Sequence, residues 1–267
     1  MKRNLSGIFT NLIIFVLGFL SLAAPFVLPQ ARNSGAHNAS FPIMISLIIG
    51  LCLIIVFYEI QISIIDNKMI AFLGVLIAIN AAIRFLENAI PGPAGFSPTF
   101  FLIILIGYTF GGRMGFLMGA MTMFVSALIT GGVGPWLPGQ MITAGWVGQS
   151  SVLVKWIVRS FNWSDKPGEV VLLSVFGAVW GLLYGAIMNL WFWPFLGAAS
   201  GQSWLQNAGF LENVGRYSTY YLATSLVWDI ARSVGNVLTL AFLTRPVIKV
   251  FHRFKIRFSF QVSGEKS

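Results

Sequence analysis

Two acidic side chains stand three positions from an arginine inside strongly apolar runs: Glu87 follows Arg84, and Asp229 precedes Arg232. An ionisable group in hydrocarbon costs at least about 2.5–3.5 kcal/mol on insertion scales unless it is paired or wet. At a spacing of three, acid and base share one helical face and can meet. Asn88 and Asn236 lie close to these pairs in the chain and add hydrogen-bonding amides. Arg84, Glu87 and Asn88 lie near one end of their run, where they are suited to orient the charged or polar edge of a ligand. Asp229 lies deeper, where pairing with Arg232 is the first expectation, and it is kept as a candidate binding group. Asn80 and Asn189 contribute uncharged groups fit to line a cavity.

The elements that must position these residues follow from composition. Of 267 residues, 57% are hydrophobic and only 9% charged, and the mean hydropathy is +0.81, whereas an ordinary soluble domain is about 25% charged. Apolar segments at 8–28, 42–58, 69–90, 98–111, 114–129, 140–158, 170–195 and 217–243 are too long and unbroken for barrel strands, which alternate in polarity over about ten residues. The fold class expected is an all-α integral membrane protein of about eight transmembrane helices: a six-helix core and two N-terminal helices. Residues 1–68 hold the N-terminal pair, 69–243 the core, and 244–267 a basic cytoplasmic tail. Some core segments are short enough to be tilted, broken or only partly spanning.

Basic residues set the expected orientation. With the N-terminus inside, Lys68, Arg113, Lys155, Arg159, Lys166 and the run from Arg245 to Arg257 are cytoplasmic, and the outer loops keep Arg32 and Arg216. Both termini are then cytoplasmic in a multi-pass cell-membrane protein. The net charge of +9 needs no nucleic acid, because a basic tail can meet anionic lipid or a partner. The first segment follows Lys2 and Arg3, and Ser21-Leu22-Ala23 looks like a cleavage site. The apolar run continues through Leu28, which favours an uncleaved anchor. Cys52 is the single cysteine, so no internal disulfide is possible.

Three Gly/Pro-rich breaks fall on the outer side: 91–98, 130–148 and 194–216. Glycine and proline stop the helices there and carry Phe96, Trp136, Gln140, Trp204 and Asn207 to one surface, with Trp191 and Trp193 beneath. Together with the polar groups above, these residues outline an outward cavity with mixed apolar and polar walls, suited to a small organic ligand. Gly111, Gly115 and Gly119, and likewise Gly177, Gly181 and Gly185, clear one helix face for close packing within the chain. The row Gly74, Ala78 and Ala82 could serve the same end or dock on another membrane subunit.

The run from Phe96-Ser97-Pro98 through Gly107-Tyr108-Thr109-Phe110-Gly111-Gly112-Arg113, with Gly134-Pro135-Trp136-Leu137-Pro138-Gly139-Gln140-Met141, resembles the substrate-binding S component of energy-coupling factor (ECF) vitamin transporters. The second element is most similar to cobalamin-associated members. The resemblance covers about 69–243 and implies capture of a vitamin or related micronutrient from outside. It also implies partnership with a membrane T subunit and two ATPase subunits, and Ala78-Ile79-Asn80-Ala81-Ala82 matches the family's docking motif. Candidate substrate-binding residues are Arg84, Glu87, Asn88, Phe96, Trp136, Gln140, Asn189 and Asp229; candidate docking residues are Gly74, Ala78 and Ala82. No lysine follows a glycine, so a phosphate-binding loop is absent and ATP must be hydrolysed by a partner. The histidines, His37 and His252, form no zinc motif, and no nucleophile is paired with a base, so neither a metal nor a cofactor is expected and an enzyme is disfavoured. An ion-coupled secondary transporter using Asp229 is the alternative, although it usually carries an internal repeat and none is visible.

Overall fold

The computed structural model describes residues 67–264 except 91, 93–94, 197–200 and 206, together with 15–16, 18–19, 26, 47, 50 and 53–54. The Ser21-Leu22-Ala23 element, most of the two N-terminal segments, Pro91, Pro93, Cys52 and the outermost basic residues lie outside them.

The described chain is helical, with no strand among its elements: α1 (Asn67–Ala89), α2 (Phe100–Phe110), α3 (Gly112–Thr130), α4 (Leu137–Ser160), α5 (Pro167–Phe192) with a 3₁₀ turn at Trp193–Phe195, α6 (Phe210–Thr224) and α7 (Leu226–Gly264). Four helices are long and apolar enough to cross a membrane: Lys68–Ala89, Gly112–Thr130, Pro167–Phe195 and Leu226–Ile256, with Phe100–Phe110 shorter. The expected count of about eight spans is therefore met only in part by the described residues. Helix α4 has the length, but Gln140, Gln149, Lys155 and Arg159 dilute its hydropathy. It is instead an enclosed central helix, flanked most closely by α3 and also by α2 and α5.

The segment expected as one helix over 217–243 is two. The backbone leaves helical geometry at Ser225 (φ −133°, ψ −25°), so α6 and α7 are separate rods. No glycine or proline marks this break. The hydroxyls of Thr224 and Ser225 lie 3.2 Å apart there, and such residues compete locally with helical hydrogen bonding. Helix α7 continues without interruption across residue 244 to Gly264. Phe251 and Phe254 fasten its far end against Phe72 of α1, and Phe251 also packs on Phe110 of α2.

The glycine rows are contact faces within the chain. A Cβ on Gly148 of α4 would lie 2.1 Å from the Gly115 carbonyl oxygen, one on Gly119 2.1 Å from the Ala144 oxygen, and one on Gly107 1.9 Å from the Gly148 oxygen. Helices α2, α3 and α4 therefore meet backbone to backbone. Gly177 and Gly185 of α5 make room for the Leu240 and Asp229 side chains of α7, and Gly181 lies against the Ser233 backbone and hydroxyl. Gly111 closes α2 and opens α3 at φ +108°, a conformation that disfavours any residue with a Cβ, and this allows a hairpin without a loop.

Helix lengths then leave a vacancy. Helix α1 has 23 residues and rises about 35 Å, but α2 has 11 and rises only about 16 Å. Beyond the start of α2, the bundle is completed by the 95–99 segment instead of by helix. Ten of the eleven α2 residues are buried, so this short helix is core, and the space past its first turn is where a cavity opens.

Candidate functional site

That cavity, of about 360 Å³, is lined by residues of five helices and one connecting segment: Arg84, Glu87 and Asn88 of α1; Gly95, Phe96, Ser97 and Thr99 of the segment; Phe100 at the α2 start; Gln140 of α4; Tyr184 of α5; and Trp228 and Arg232 of α7. Each wall has a local cause. Gly95 (φ +77°) lets the chain turn where a Cβ would strike the Trp228 ring at 2.4 Å. Gly235 of α7 admits the Ser97 backbone, since its Cβ would lie 2.7 Å from that carbonyl oxygen. The Phe100 N–H donates to Asn236 Oδ1 at 3.2 Å, and Asn80, fully buried, donates to the Thr99 carbonyl at 3.1 Å. Asn80 and Asn236 thus hold the 95–100 segment in place from opposite helices without lining the cavity.

Acid and base do not pair as the spacing on α1 implied. Arg84 donates from Nε to Ser126 Oγ of α3 at 2.9 Å. Glu87 accepts the hydroxyls of Ser97 (2.8 Å) and Thr99 (3.0 Å) through Oε2. Glu87 is therefore a latch on the loop, and Arg84 is braced on the neighbouring helix. On α7 the expected pair does form: Arg232 Nη1 donates to Asp229 Oδ1 and to the Gly181 carbonyl at 3.2 Å. Its guanidinium carbon lies 5.4 Å from the Tyr184 ring centroid, a cation–π distance. Tyr221 of α6 donates to the other Asp229 oxygen at 2.9 Å. Asp229, 2% exposed, stands behind Arg232 and fixes it.

Of the residues singled out in the sequence, Arg84, Glu87, Asn88, Phe96 and Gln140 come together on the wall. Trp136, Asn189 and Asp229 do not. The Trp136 indole turns back to donate to the Gly132 carbonyl at 3.2 Å and lies near Phe192. Asn189 donates to the Gly185 carbonyl one turn earlier on its own helix at 2.8 Å. The three outer breaks converge only in part. The 95–99 segment builds the cavity and the 130–148 stretch supplies Gln140. In the third break, Trp204 meets the rings of Trp193 and Phe26 edge-on, and Trp193 in turn meets Tyr217. Ser97, Thr99, Phe100, Tyr184, Trp228 and Arg232 were not singled out as binding residues, and Arg232 carried the one sequence signal, its charge.

The other end of the bundle has a different character. Lys155 Nζ donates to the Thr109 carbonyl at the end of α2 (3.0 Å), and Tyr108 donates to Glu169 at the start of α5 (2.6 Å). Lys68, Arg113, Arg159 and Lys166 stand at helix ends on this same side, opposite the cavity.

The described helices thus form an apolar bundle with a walled cavity at one end and basic residues at helix ends on the other. Comparison with protein families gives the particular class: residues 68–244 match the family described as the substrate-specific component of ECF transporters. The chain belongs to that family, whose members are substrate-binding transporter subunits, not enzymes, and pair with T and ATPase subunits. Searches of curated proteins and of solved structures return no match.

Proposed function

We propose that this chain captures a small organic micronutrient in the cavity at the α2 start and delivers it through an ECF complex whose partner subunits hydrolyse ATP. The observation that carries this reading is the cavity itself. Its volume lies in the lower part of the about 300–1,000 Å³ range of small-molecule sites, and four aromatic rings stand among converging polar and charged groups that can fix a ligand's orientation. Lys68, Arg113, Lys155, Arg159 and Lys166 stand at the opposite end, and the positive-inside rule supports a cavity that opens outward. The cobalamin-like element contributes Gln140 to the wall, and a volume of about 360 Å³ favours a compact ligand.

Docking on a T subunit fits the face of α1 that bears Gly74, Ala78 and Ala82. All three are exposed, and a Cβ on Gly74 would meet nothing within 4 Å, in contrast to the glycines of α3 and α5. Ion coupling through Asp229 gains no support, because both of its oxygens are occupied by Arg232 and Tyr221. The test is ligand titration of the purified chain with a vitamin panel, followed by tryptophan emission. Trp228 lines the cavity and is 56% exposed, so occupancy shifts its emission. Absence of binding across the panel would defeat the assignment.

A further inference from the structure

Resting on that reading of the cavity, we infer that its ligand is a compact carboxylic acid with a flat or apolar body, held through its carboxylate by Arg84. The charged lining consists of Arg84, Glu87 and Arg232, and their commitments differ. Glu87 is already satisfied by the Ser97 and Thr99 hydroxyls, so a ligand cation gains little by displacing them. Arg232 is engaged with Asp229, the Gly181 carbonyl and the Tyr184 ring. Arg84 is braced through Nε alone among the described residues, and the outer edge of its guanidinium is a two-donor fork matched to a carboxylate. Arg232 adds a second positive charge to the same wall, and the N-terminal, positive end of α2 at Phe100 faces the same space. Phe96, Phe100, Tyr184 and Trp228 supply the aromatic part of the lining, beside Asn88, Ser97, Thr99 and Gln140, and their rings accept the flat or apolar body. Ser126 is the positioning residue: from α3 it holds the Arg84 fork toward the cavity.

The experiment compares acids with their uncharged amides on the detergent-purified full chain by calorimetry. The probes are nicotinate against nicotinamide, for a flat body, and biotin against biotinamide, for a saturated one; riboflavin and thiamine serve as neutral and cationic controls. At least one acid is expected to bind at least about 10-fold more tightly than its amide. Arg84→Gln is expected to weaken the acid by about 10–150-fold, the range of a lost charge-assisted hydrogen bond, and to bring the acid-to-amide ratio close to one. That ratio is insensitive to a general loss of folded protein, and Arg84→Lys, which keeps the charge without the fork, is expected to fall between. Equal binding of acid and amide, or binding of riboflavin or thiamine alone, overturns the carboxylate inference while leaving substrate capture standing. Failure of every compound to bind overturns both.

Discussion

Replacing Asp229 by asparagine tests whether this acid supports Arg232 or meets the ligand itself. Asp229 receives two hydrogen bonds, from Arg232 Nη1 on Oδ1 and from the Tyr221 hydroxyl on Oδ2. Asparagine retains one acceptor oxygen and sets an N–H₂ donor against a donor. One charge-assisted bond is lost, worth about 1.5–3 kcal/mol, and removing one member of a buried ion pair costs about 3–5 kcal/mol. Arg232 moderates that upper figure, because its side chain is 22% exposed and keeps the Gly181 carbonyl and the Tyr184 ring as partners. The expected loss is therefore about 2–3 kcal/mol, in the lower part of the combined ranges. Tyr221→Phe removes the hydroxyl that donates to the Asp229 carboxylate at 2.9 Å and lies 3.4 Å from the Leu182 carbonyl oxygen, and should cost about 1.5–3 kcal/mol, the range for a bond to a charged group. In the double variant the two losses should not add, since both act on one carboxylate. Denaturant unfolding in detergent, read by tryptophan emission, measures all three. Because Asp229 stands behind Arg232 and offers the ligand no free oxygen, the folded fraction of Asp229→Asn should keep its affinity for an anionic ligand or bind it more tightly. Unaltered stability together with abolished binding would refute the assignment of Asp229 as a brace.

Gly148→Ala should destabilise the bundle by about 1–3 kcal/mol through overpacking, since the new Cβ would sit 2.1 Å from the Gly115 carbonyl oxygen. Gly74→Ala should be neutral or stabilising by up to about 1 kcal/mol, and the same unfolding assay reads both. Trp136→Ala should leave ligand affinity within about 2-fold, because the indole is turned to Gly132; a loss of tenfold or more, about 1.4 kcal/mol, would place that ring over the ligand. The double variant Ala78→Leu/Ala82→Leu should preserve binding by the isolated chain but abolish ATP-driven uptake in vesicles containing its partner subunits, and undiminished uptake would exclude that face of α1 as the dock.

Much of the candidate wall was legible in the sequence because hydrocarbon makes its polar residues conspicuous. Arg84, Glu87 and Asn88 stand out in an apolar run, and all three line the cavity. The spacing was silent on which partner each would take. Three positions along a helix permit a pair in both cases, but Asp229 met Arg232 while Glu87 was claimed by Ser97 and Thr99 of a loop. The break at Ser225 carries no such signal in the sequence, since neither glycine nor proline marks it.

What the sequence determined by itself is the membrane class, the helical content and the sidedness of charge, because these depend on how much apolar chain must be buried and which side chains cannot be buried cheaply. Only the tertiary structure decided that a folded-in segment fills part of the length α2 leaves open, and that Trp136 turns away while Tyr184 and Trp228 turn in. Those outcomes depend on close contacts between residues distant in the chain, such as Gly148 on Gly115 and Gly235 on Ser97, and periodicity within a segment does not encode which other segment will be its neighbour.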